Sequence, residues 1–364
     1  MTRIISLFVS VLALASTASA QSNIRNARIE SRPGADLAGT FQGLSSEAGP
    51  LWIGYAVPAQ NPDWNACCYN SDRGGDGCCG RCQLDEGRTG GETRAETRGS
   101  VARGPVQLEA AGQAIILYRI ENREVQRIRA YSESCDLDGG GRTVYWLTGV
   151  ATPASVELLL RFASRPVAEG DRHDRVVDGA MHAMAAHRDP AADRALATLL
   201  APDKPMHTRK QAAFWSANAR GRTGFELVRT ALLDTSNEEA LRKHLTFAIS
   251  QSREPEAVET LTRAAKGDAS PAVRGEAIFW LAQKAGRKAA SAITEAIAND
   301  PDTKVKERAV FALSQLPTGE GVPKLIDVAR TNRNPAVRKQ AIFWLGQSRD
   351  PRALAFFEEV LARP

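Results

Sequence analysis

The sequence lacks, beyond its first twenty residues, any apolar run long enough to cross a membrane, and it has no lysine before Lys204. A membrane-spanning helix needs ~20 apolar residues, which excludes a polytopic membrane protein. Aromatic residues make up only 6% of the 364 residues, but hydrophobic residues reach 43%, too many for a disordered chain. The net charge of +5 is spread along the chain, whereas nucleic-acid binding favours a clustered basic face. The length therefore predicts two domains or one elongated array.

The short motifs of common enzyme classes are missing as well. The sequence contains no Gly-x-Ser-x-Gly, no Walker loop, no Gly-x-Gly-x-x-Gly after a predicted strand and no His-Glu-x-x-His. The five histidines are His173, His182, His187, His207 and His244. His182 and His187 are five residues apart, a spacing that does not place them on one helical face. We therefore expect surface or hydrogen-bonded histidines, and no catalytic, cofactor-binding or metal-binding residues.

The first twenty residues have the order of a secretory signal peptide. Arg3 precedes an apolar run over 4–15, and the small residues Ala18-Ser19-Ala20 follow it. The run is short for a bilayer-spanning helix, so we expect a signal peptide over 1–20 that is cleaved near Ala20. An uncleaved N-terminal anchor is the alternative. The prediction is an exported protein, periplasmic or extracellular after cleavage, with no membrane span in the remainder.

Six cysteines support the export prediction. They are Cys67, Cys68, Cys78, Cys79, Cys82 and Cys135. An even count in an exported chain favours disulfides, although the sequence leaves their connectivity open. Cys79 and Cys82 also have the two-residue gap of zinc ligands, but no second such pair and no nearby histidine completes a site. A redox role for this pair would need a βαβ setting, which the flanking Gly-rich loop does not provide.

Residues 21–150 show the alternating pattern of a small β-rich domain. Strands are predicted over 51–57, 114–120, 125–131 and 143–147. The polar Glu121-Asn122 between the second and third strands predicts a hairpin. A long insert over 59–100 is rich in Gly, Asp, Arg and Cys, and disulfides would close its first half. As a long loop, this insert is where a ligand or partner contact is expected in the domain, although a surface loop without a ligand is the simpler interpretation.

Residues 153–364 are an internal repeat. Equivalent positions fall at Met181, Phe214, Phe247, Phe279, Phe311 and Phe343, with successive gaps of 33, 33, 32, 32 and 32 residues. Each unit contains two helices, for example over 273–285 and 289–298, and such a pair cannot bury its apolar stripe unless the units stack. The fold class is therefore α+β multidomain, with a C-terminal right-handed α-solenoid of about six helix pairs after the β-rich domain.

Phe and Trp stand side by side in three of the units, as at Phe279-Trp280. Neighbouring side chains on a helix point about 100° apart. One ring can then fill the core of its own unit while the other fills the interface to the next unit. These pairs are predicted to be core residues.

The turns and helix starts of the repeat carry a family resemblance. Ser270-Pro271-Ala272-Val273-Arg274 and Asn334-Pro335-Ala336-Val337-Arg338 resemble HEAT repeats, in particular the short bacterial HEAT-like type. The preceding domain looks like the leader of exported bacterial HEAT-repeat proteins. The resemblance implies a ladder of hydrogen bonds between units, formed here by Arg242, Arg274 and Arg338, with Lys306 as a departure.

The arginines also have a second interpretation. Arg209, Arg242, Arg274 and Arg338 would favour an acidic partner if they projected from the concave face instead of joining the ladder. Some HEAT-like proteins are enzymes: a hydroxylase branch binds two irons through His-Glu pairs, and a lyase branch attaches bilins. This sequence contains no His-Glu pair.

The residues together predict an exported, non-enzymatic scaffold for protein–protein interaction. A solenoid offers a large, rigid, curved surface that suits a protein or peptide partner. The alternative is an envelope enzyme, or a ligand-binding or metal-binding protein, with its site in the cysteine-rich insert. Nucleic acid is the weakest candidate partner, because export removes the usual one.

Overall fold

The structure, a computed structural model, describes residues 24–47, 49–61, 82–83, 112–135, 137–167 and 174–362. The chain divides into two compact units, one of Met1–Gln126 and Ala130–Ala151 and the other of Arg127–Arg129 and Thr152–Pro364. The predicted leader, most of the 59–100 insert, and Cys67, Cys68, Cys78 and Cys79 lie outside the described residues, and Cys82 is described only in its backbone.

The first unit contains eight described strands and one helix. The strands are β1 (Ile24–Arg25), β2 (Arg28–Pro33), β3 (Leu51–Pro58), β4 (Cys82–Gln83), β5 (Gln113–Glu121), β6 (Glu124–Ser132), β7 (Leu137–Asp138) and β8 (Thr143–Thr148). The main sheet has the order β2-β8-β3-β5-β6, and a small sheet has the order β1-β7-β4. Strand β3 is antiparallel to β5 and parallel to β8. All four predicted strands are confirmed to within two residues at each end.

The turn between β5 and β6 has the backbone that the predicted hairpin requires. Asn122 and Arg123 both have positive φ, 53° and 65°. Two consecutive residues of this kind match the right-handed twist of the flanking strands.

The core of the first unit lies on both faces of β3 and β5. On one face, Phe41 of helix α1 (Leu37–Ser45) meets Tyr118 with ring centroids 4.9 Å apart, and Tyr118 shares a buried 2.7 Å hydrogen bond with Tyr55. The other face holds a cluster that includes Trp52, Trp146 and Cys135. The sequence analysis did not predict α1.

The second unit is helical. Its helices are α2 (Thr152–Ala163), α3 (Val177–Ala186), α4 (Pro190–Leu200), α5 (Met206–Ala219), α6 (Gly221–Leu233), α7 (Glu239–Gln251), α8 (Ala257–Gly267), α9 (Pro271–Ala285), α10 (Ala290–Asn299), α11 (Thr303–Ser314), α12 (Thr318–Thr331), α13 (Pro335–Gln347) and α14 (Pro351–Ala362), with a 3₁₀ turn at Gly286–Ala289. After α2, six pairs run from α3/α4 to α13/α14. Each of the six equivalent positions found in the sequence lies on the first helix of a pair.

Side-chain caps explain where several first helices begin. The Ser270 hydroxyl accepts hydrogen bonds from the backbone N–H groups of Ala272 and Val273, and Asn334 caps α13 in the same way through Ala336. Proline follows each cap, where its missing N–H costs nothing. These helix starts are thus encoded by residues next to one another in the sequence.

The six pairs form two layers. First helices of successive pairs contact one another extensively, whereas second helices of successive pairs contact one another sparsely. The first helices thus form a tightly packed layer, and the second helices form a looser one. Every helix among the described residues is too short or too polar to span a bilayer.

Candidate functional site

Three of the four arginines singled out in the sequence are buried between helix pairs. Arg209, at 2% exposure, donates from Nη1 to Glu238 Oε2 and from Nη2 to Asn237 Oδ1, both at 2.6 Å. Its Nε donates to the Leu200 carbonyl at 3.2 Å. One guanidinium therefore ties α5 to the turn before α7.

The next two pairs repeat this contact with an aspartate. Arg242 donates from Nε and Nη2 to the two Asp268 oxygens, both at 3.0 Å, and Arg274 binds Asp300 in the same bidentate way at 2.8 and 2.9 Å. Burial is the largest single influence on the pKa of Asp300 and raises it. The Arg274 hydrogen bonds, the Asp302 N–H and the positive charges of Arg274 and Lys306 together outweigh burial, so the pKa lies below its usual value. These guanidinium groups bind within the stack and are not available to a partner.

Lys306 and Arg338, which occupy the equivalent position in the last two helix pairs, make no bidentate contact to a carboxylate among the described residues. Lys306 donates to the Ala298 carbonyl at 3.0 Å. Arg338 donates to the Asn332 and Arg333 carbonyls of its own turn at 2.7 and 3.1 Å, and no carboxylate among the described residues pairs with it. Among the described residues, the bidentate contact to a following pair thus occurs at Arg242 and Arg274 but not at Lys306 or Arg338.

One Ser–His pair lies inside the helical unit. Ser155 Oγ is 2.8 Å from His187 Nε2, and His187 Nδ1 is 2.7 Å from the Ala183 carbonyl. Burial lowers the pKa of His187 to about 4, so the ring is neutral, donates from Nδ1 to the carbonyl and accepts at Nε2. Both side chains are fully buried, so no substrate can reach the serine. Among the described residues, no three His, Cys, Asp or Glu side chains converge on a metal-sized site.

The Phe and Trp rings of the repeat form a row on the first-helix layer. The prediction that one ring of each pair fills the core is wrong, because the six rings from Phe214 to Phe311 and also Trp344 are half-buried and Phe343 is 53% exposed. The predicted ring contacts between successive units are confirmed. The buried positions are the small or aliphatic residues two before each Phe, such as Ala212, Leu245 and Ala277. A residue two positions further along a helix points about 200° away, which turns each Phe from the core.

The rings contact one another from pair to pair. Phe214 stacks on Phe247 with centroids 5.7 Å apart, and Phe247 meets Trp280 at 4.8 Å. The same alternation follows at the next two steps, from Phe279 to Phe311 at 5.7 Å and from Phe311 to Trp344 at 4.9 Å. At the near end, Trp215 stacks on His182 at 4.4 Å. We call this set of rings the aromatic row.

A groove of about 610 Å³ opens beside the middle of the aromatic row. It is lined by Lys210, Ala240, Lys243, His244, Phe247, Glu276 and Trp280. Neither lysine ammonium has an ion-pair or hydrogen-bond partner in the described part of the chain. Glu276 is already engaged, since it accepts from Trp280 Nε1 at 3.0 Å and from Arg308 Nη2 at 3.2 Å. Burial lowers the pKa of His244 to about 4, so the unpaired charge of the groove comes from the two lysines.

A column of amide side chains flanks the aromatic row. Each member lies four residues after the Phe of its repeat: Asn218, Gln251, Gln283, Gln315 and Gln347. Residues four apart share a helical face, and all five are exposed. An amide can donate and accept hydrogen bonds at once. The sequence analysis missed both the groove and this column, although the constant offset from each Phe was the signal that could have found the amides.

A second cavity, of about 270 Å³, lies on the second-helix layer. Its lining includes Lys266, Arg274, Glu295 and Asp300. Lys266 pairs with Glu295 at 2.6 Å, and Arg274 pairs with Asp300. Because these charges pair with each other, the groove on the first layer is the better candidate site.

Comparison with known proteins finds a family match in the C-terminal part of the helical unit. Residues 226–314 and 290–364 match the family model of HEAT repeats. The C-terminal region carries HEAT repeats. This confirms the HEAT resemblance for that region and supports the solenoid of helix pairs.

Two solved structures are similar to part of this chain. Human deoxyhypusine hydroxylase in complex with glycerol is 16% identical, with 58% of this chain and 91% of that chain covered and a TM-score of 0.31. The CpcE–CpcF complex of phycocyanin lyase from Nostoc sp. PCC7120 is 12% identical, with coverages of 57% and 82% and a TM-score of 0.28. No curated protein matches this chain.

Proposed function

We propose that this protein is a non-enzymatic interaction scaffold that binds an extended, acidic peptide segment on the first-helix face of its HEAT repeats. The observation that carries the proposal is the groove, where unpaired Lys210 and Lys243 stand beside the half-exposed rings of Phe247 and Trp280. Aromatic side chains with exposed edges supply apolar contact, and lysines supply attraction for carboxylates.

The amide column suits the backbone of the same segment. A peptide backbone offers one N–H and one carbonyl per residue, and an amide side chain can bind both. Packed helices lie about 8–10 Å apart, and an extended chain advances about 3.3 Å per residue. Each HEAT repeat would then meet about three residues of the bound segment, with one amide and at least one ring for each step.

Peptide is favoured over single-stranded nucleic acid by the orientation of the rings. Bases bind to open aromatic faces. Phe214 and Phe247 are only 9° from parallel and stack on each other, as do Phe279 and Phe311 at 4°. The faces of these Phe rings therefore contact neighbouring rings, and a ligand would contact their edges.

Peptide display on the full chain tests this function. We expect enrichment of acidic peptides with micromolar dissociation constants, weakened by salt. A double variant Lys210→Glu, Lys243→Glu should weaken binding at least tenfold, while Lys288→Glu, an exposed lysine of the 3₁₀ turn outside the groove, should leave it unchanged. Enrichment without any acidic bias, no enrichment, or tighter binding of an oligonucleotide than of any peptide would contradict the proposal.

We further propose that the protein is exported and that its cysteines form disulfides. The leader over 1–20 and the six-cysteine count support this, and so does Cys135, which is disulfide-bonded and 1% exposed. Intact mass should show cleavage near Ala20 and a gain of two hydrogens per bridge on reduction. Six free thiols with bound zinc would overturn the disulfide assignment and favour a metal site in the insert.

A further inference from the structure

The exposed large apolar side chains of the described residues all lie in the last helix pair. On α13 they are Ile342 at 41% and Phe343 at 53% exposure, and on α14 they are Leu354 at 61%, Val360 at 50% and Leu361 at 84%. A soluble surface rarely concentrates its large apolar side chains in one place without a partner.

The face that carries Ile342 is the inter-repeat face of the solenoid. The equivalent residues of earlier pairs, one before each Phe, include Ala213, Ile278 and Val310, and all three are at most 1% exposed. In those pairs the following first helix covers the position. We call the corresponding surface of α13 and α14 the end face.

The end face has a defined set of residues on each helix. Lys339, Ile342 and Gly346 follow one another at spacings of three and four on α13, and Leu354, Glu358 and Leu361 do so on α14. Residues at these spacings share one side of a helix. On α14 the opposite side meets the previous repeat, where Phe356 lies under Arg330 and Arg330 also pairs with Glu359.

Two side chains of opposite charge on the end face lie at about the same distance from the loop between α13 and α14. The short loop between α13 and α14 makes the helices antiparallel. Lys339 is eight residues before the end of α13, and Glu358 is seven residues after the start of α14, which places them about 12 and 10 Å from the loop. Both are exposed, and within the described residues neither has an ion-pair partner. Ile342 and Leu354 lie nearer the loop, at about 7 and 5 Å.

We propose that the end face binds the end face of a second copy of this chain, about a two-fold axis parallel to the helices. Rotation about that axis places α13 opposite α14 of the second copy, so residues that are equally far from the loop face each other. Lys339 then meets Glu358 of the second copy, Ile342 meets Leu354, and the symmetric contacts form at the same time. The face is self-complementary in charge and in apolar contact, as an isologous dimer requires.

The size of the end face predicts a weak dimer. Helices of 13 and 12 residues are about 20 Å long, and two packed helices are about 20 Å wide, which gives a flat contact of about 400 Å² per copy. This is below the ~800 Å² per partner of a standard stable interface. We expect a dissociation constant in the micromolar range and a monomer–dimer equilibrium that depends on protein concentration.

Charge reversal on the full chain tests the pairing, with sedimentation velocity as the readout. Lys339→Glu alone and Glu358→Lys alone should each raise the dissociation constant about tenfold, because each places like charges opposite one another. The double variant should restore the wild-type value. An equimolar mixture of the two single variants should form a heterodimer, since both of its contacts then join unlike charges. Lys288→Glu makes the same charge change outside the end face and should have no effect.

Leu354→Glu provides an independent test, because it places a charge at the centre of the apolar contact and should abolish dimerisation. Circular dichroism and thermal unfolding of every variant separate loss of the dimer from loss of the fold. A wild-type chain that stays monomeric over a hundredfold range of concentration, or a dimer that Leu354→Glu and both charge reversals leave intact, would overturn the proposal. Dimers in both single variants with no gain in their mixture would overturn the two-fold pairing. None of these substitutions touches the peptide groove, so failure here leaves the proposed function untouched.

Discussion

Substitution Arg274→Ala removes one buried bidentate contact between two HEAT repeats. Exposed ion pairs contribute about 0–1 kcal/mol, whereas losing one partner of a buried pair costs about 3–5 kcal/mol. Arg274 and Asp300 are only 8% and 9% exposed, so the pair is buried but not fully shielded from water. Asp300 would keep the 2.8 Å hydrogen bond from the Asp302 backbone N–H. We therefore expect the free energy of unfolding to fall by about 2–3 kcal/mol.

The same position in the following repeat supplies a matched control. Lys306 makes a single hydrogen bond to a carbonyl, so Lys306→Ala should change stability by no more than about 0.5 kcal/mol. Arg338→Ala loses two hydrogen bonds to its own turn but breaks no contact to another repeat, and it should fall between the two. Urea unfolding of the three variants measures the series.

The loss should also be local, because each repeat contacts only its neighbours. Hydrogen exchange should accelerate in α9 and α11, which Arg274 and Asp300 connect, and less in α5. A double-mutant cycle of Arg274→Ala with Asp300→Ala should give a coupling of at least about 1 kcal/mol. Equal losses for Arg274→Ala and Lys306→Ala, or a coupling near zero, would refute the reasoning.

Three further predictions concern the helical unit. Burial lowers the pKa of His187 from 6.5 to about 4, so His187 of the unfolded chain takes up a proton at a higher pH than His187 of the folded chain. The free energy of unfolding should therefore fall by up to about 3 kcal/mol as the pH drops from 6.5 to 4. In urea unfolding, His187→Gln should remove that part of the pH dependence. A Cβ at Gly224 would overlap a carbonyl oxygen of α5, so Gly224→Ala should lower the thermal midpoint, whereas Gly267→Ala, with open space around it, should not. Leu245→Ala should lower the free energy of unfolding by ~2–5 kcal/mol, and Phe247→Ala should lower it by less, because Leu245 is fully buried and Phe247 is not. Equal losses for the two variants would show that Phe247 contributes as a core residue.

Periodicity and local chemistry were enough to predict much of the fold. The 32–33-residue repeat placed six first helices, and the caps at Ser270 and Asn334 placed two of their starts, because both signals depend on neighbours along the chain. The hairpin at Asn122 was predictable for the same reason. Helix α1 was not, since its apolar stripe of Leu37, Phe41 and Leu44 is short and is stabilised by contact with the sheet.

The candidate site depended on tertiary structure. Phe247 and Trp280 look like core residues in the sequence, and only the stacking of neighbouring repeats shows that Leu245 takes the core position and leaves the rings half-exposed. From the sequence, Arg242 and Arg274 could either form hydrogen bonds between repeats or bind an acidic partner. Their hydrogen bonds of at most 3.0 Å to Asp268 and Asp300 decide for contacts between repeats. Lys210 and Lys243 carried no signal at all, because whether a lysine is paired depends on residues of other helices.

The sequence by itself determined that this chain has a β-rich part followed by repeated helix pairs, since hydrophobic period and helix capping are properties of short segments. The tertiary structure decided which side of each helix is buried, which charges are paired and which surfaces remain open. Those outcomes depend on the rotation and spacing of each repeat against the next, which short segments of sequence do not determine.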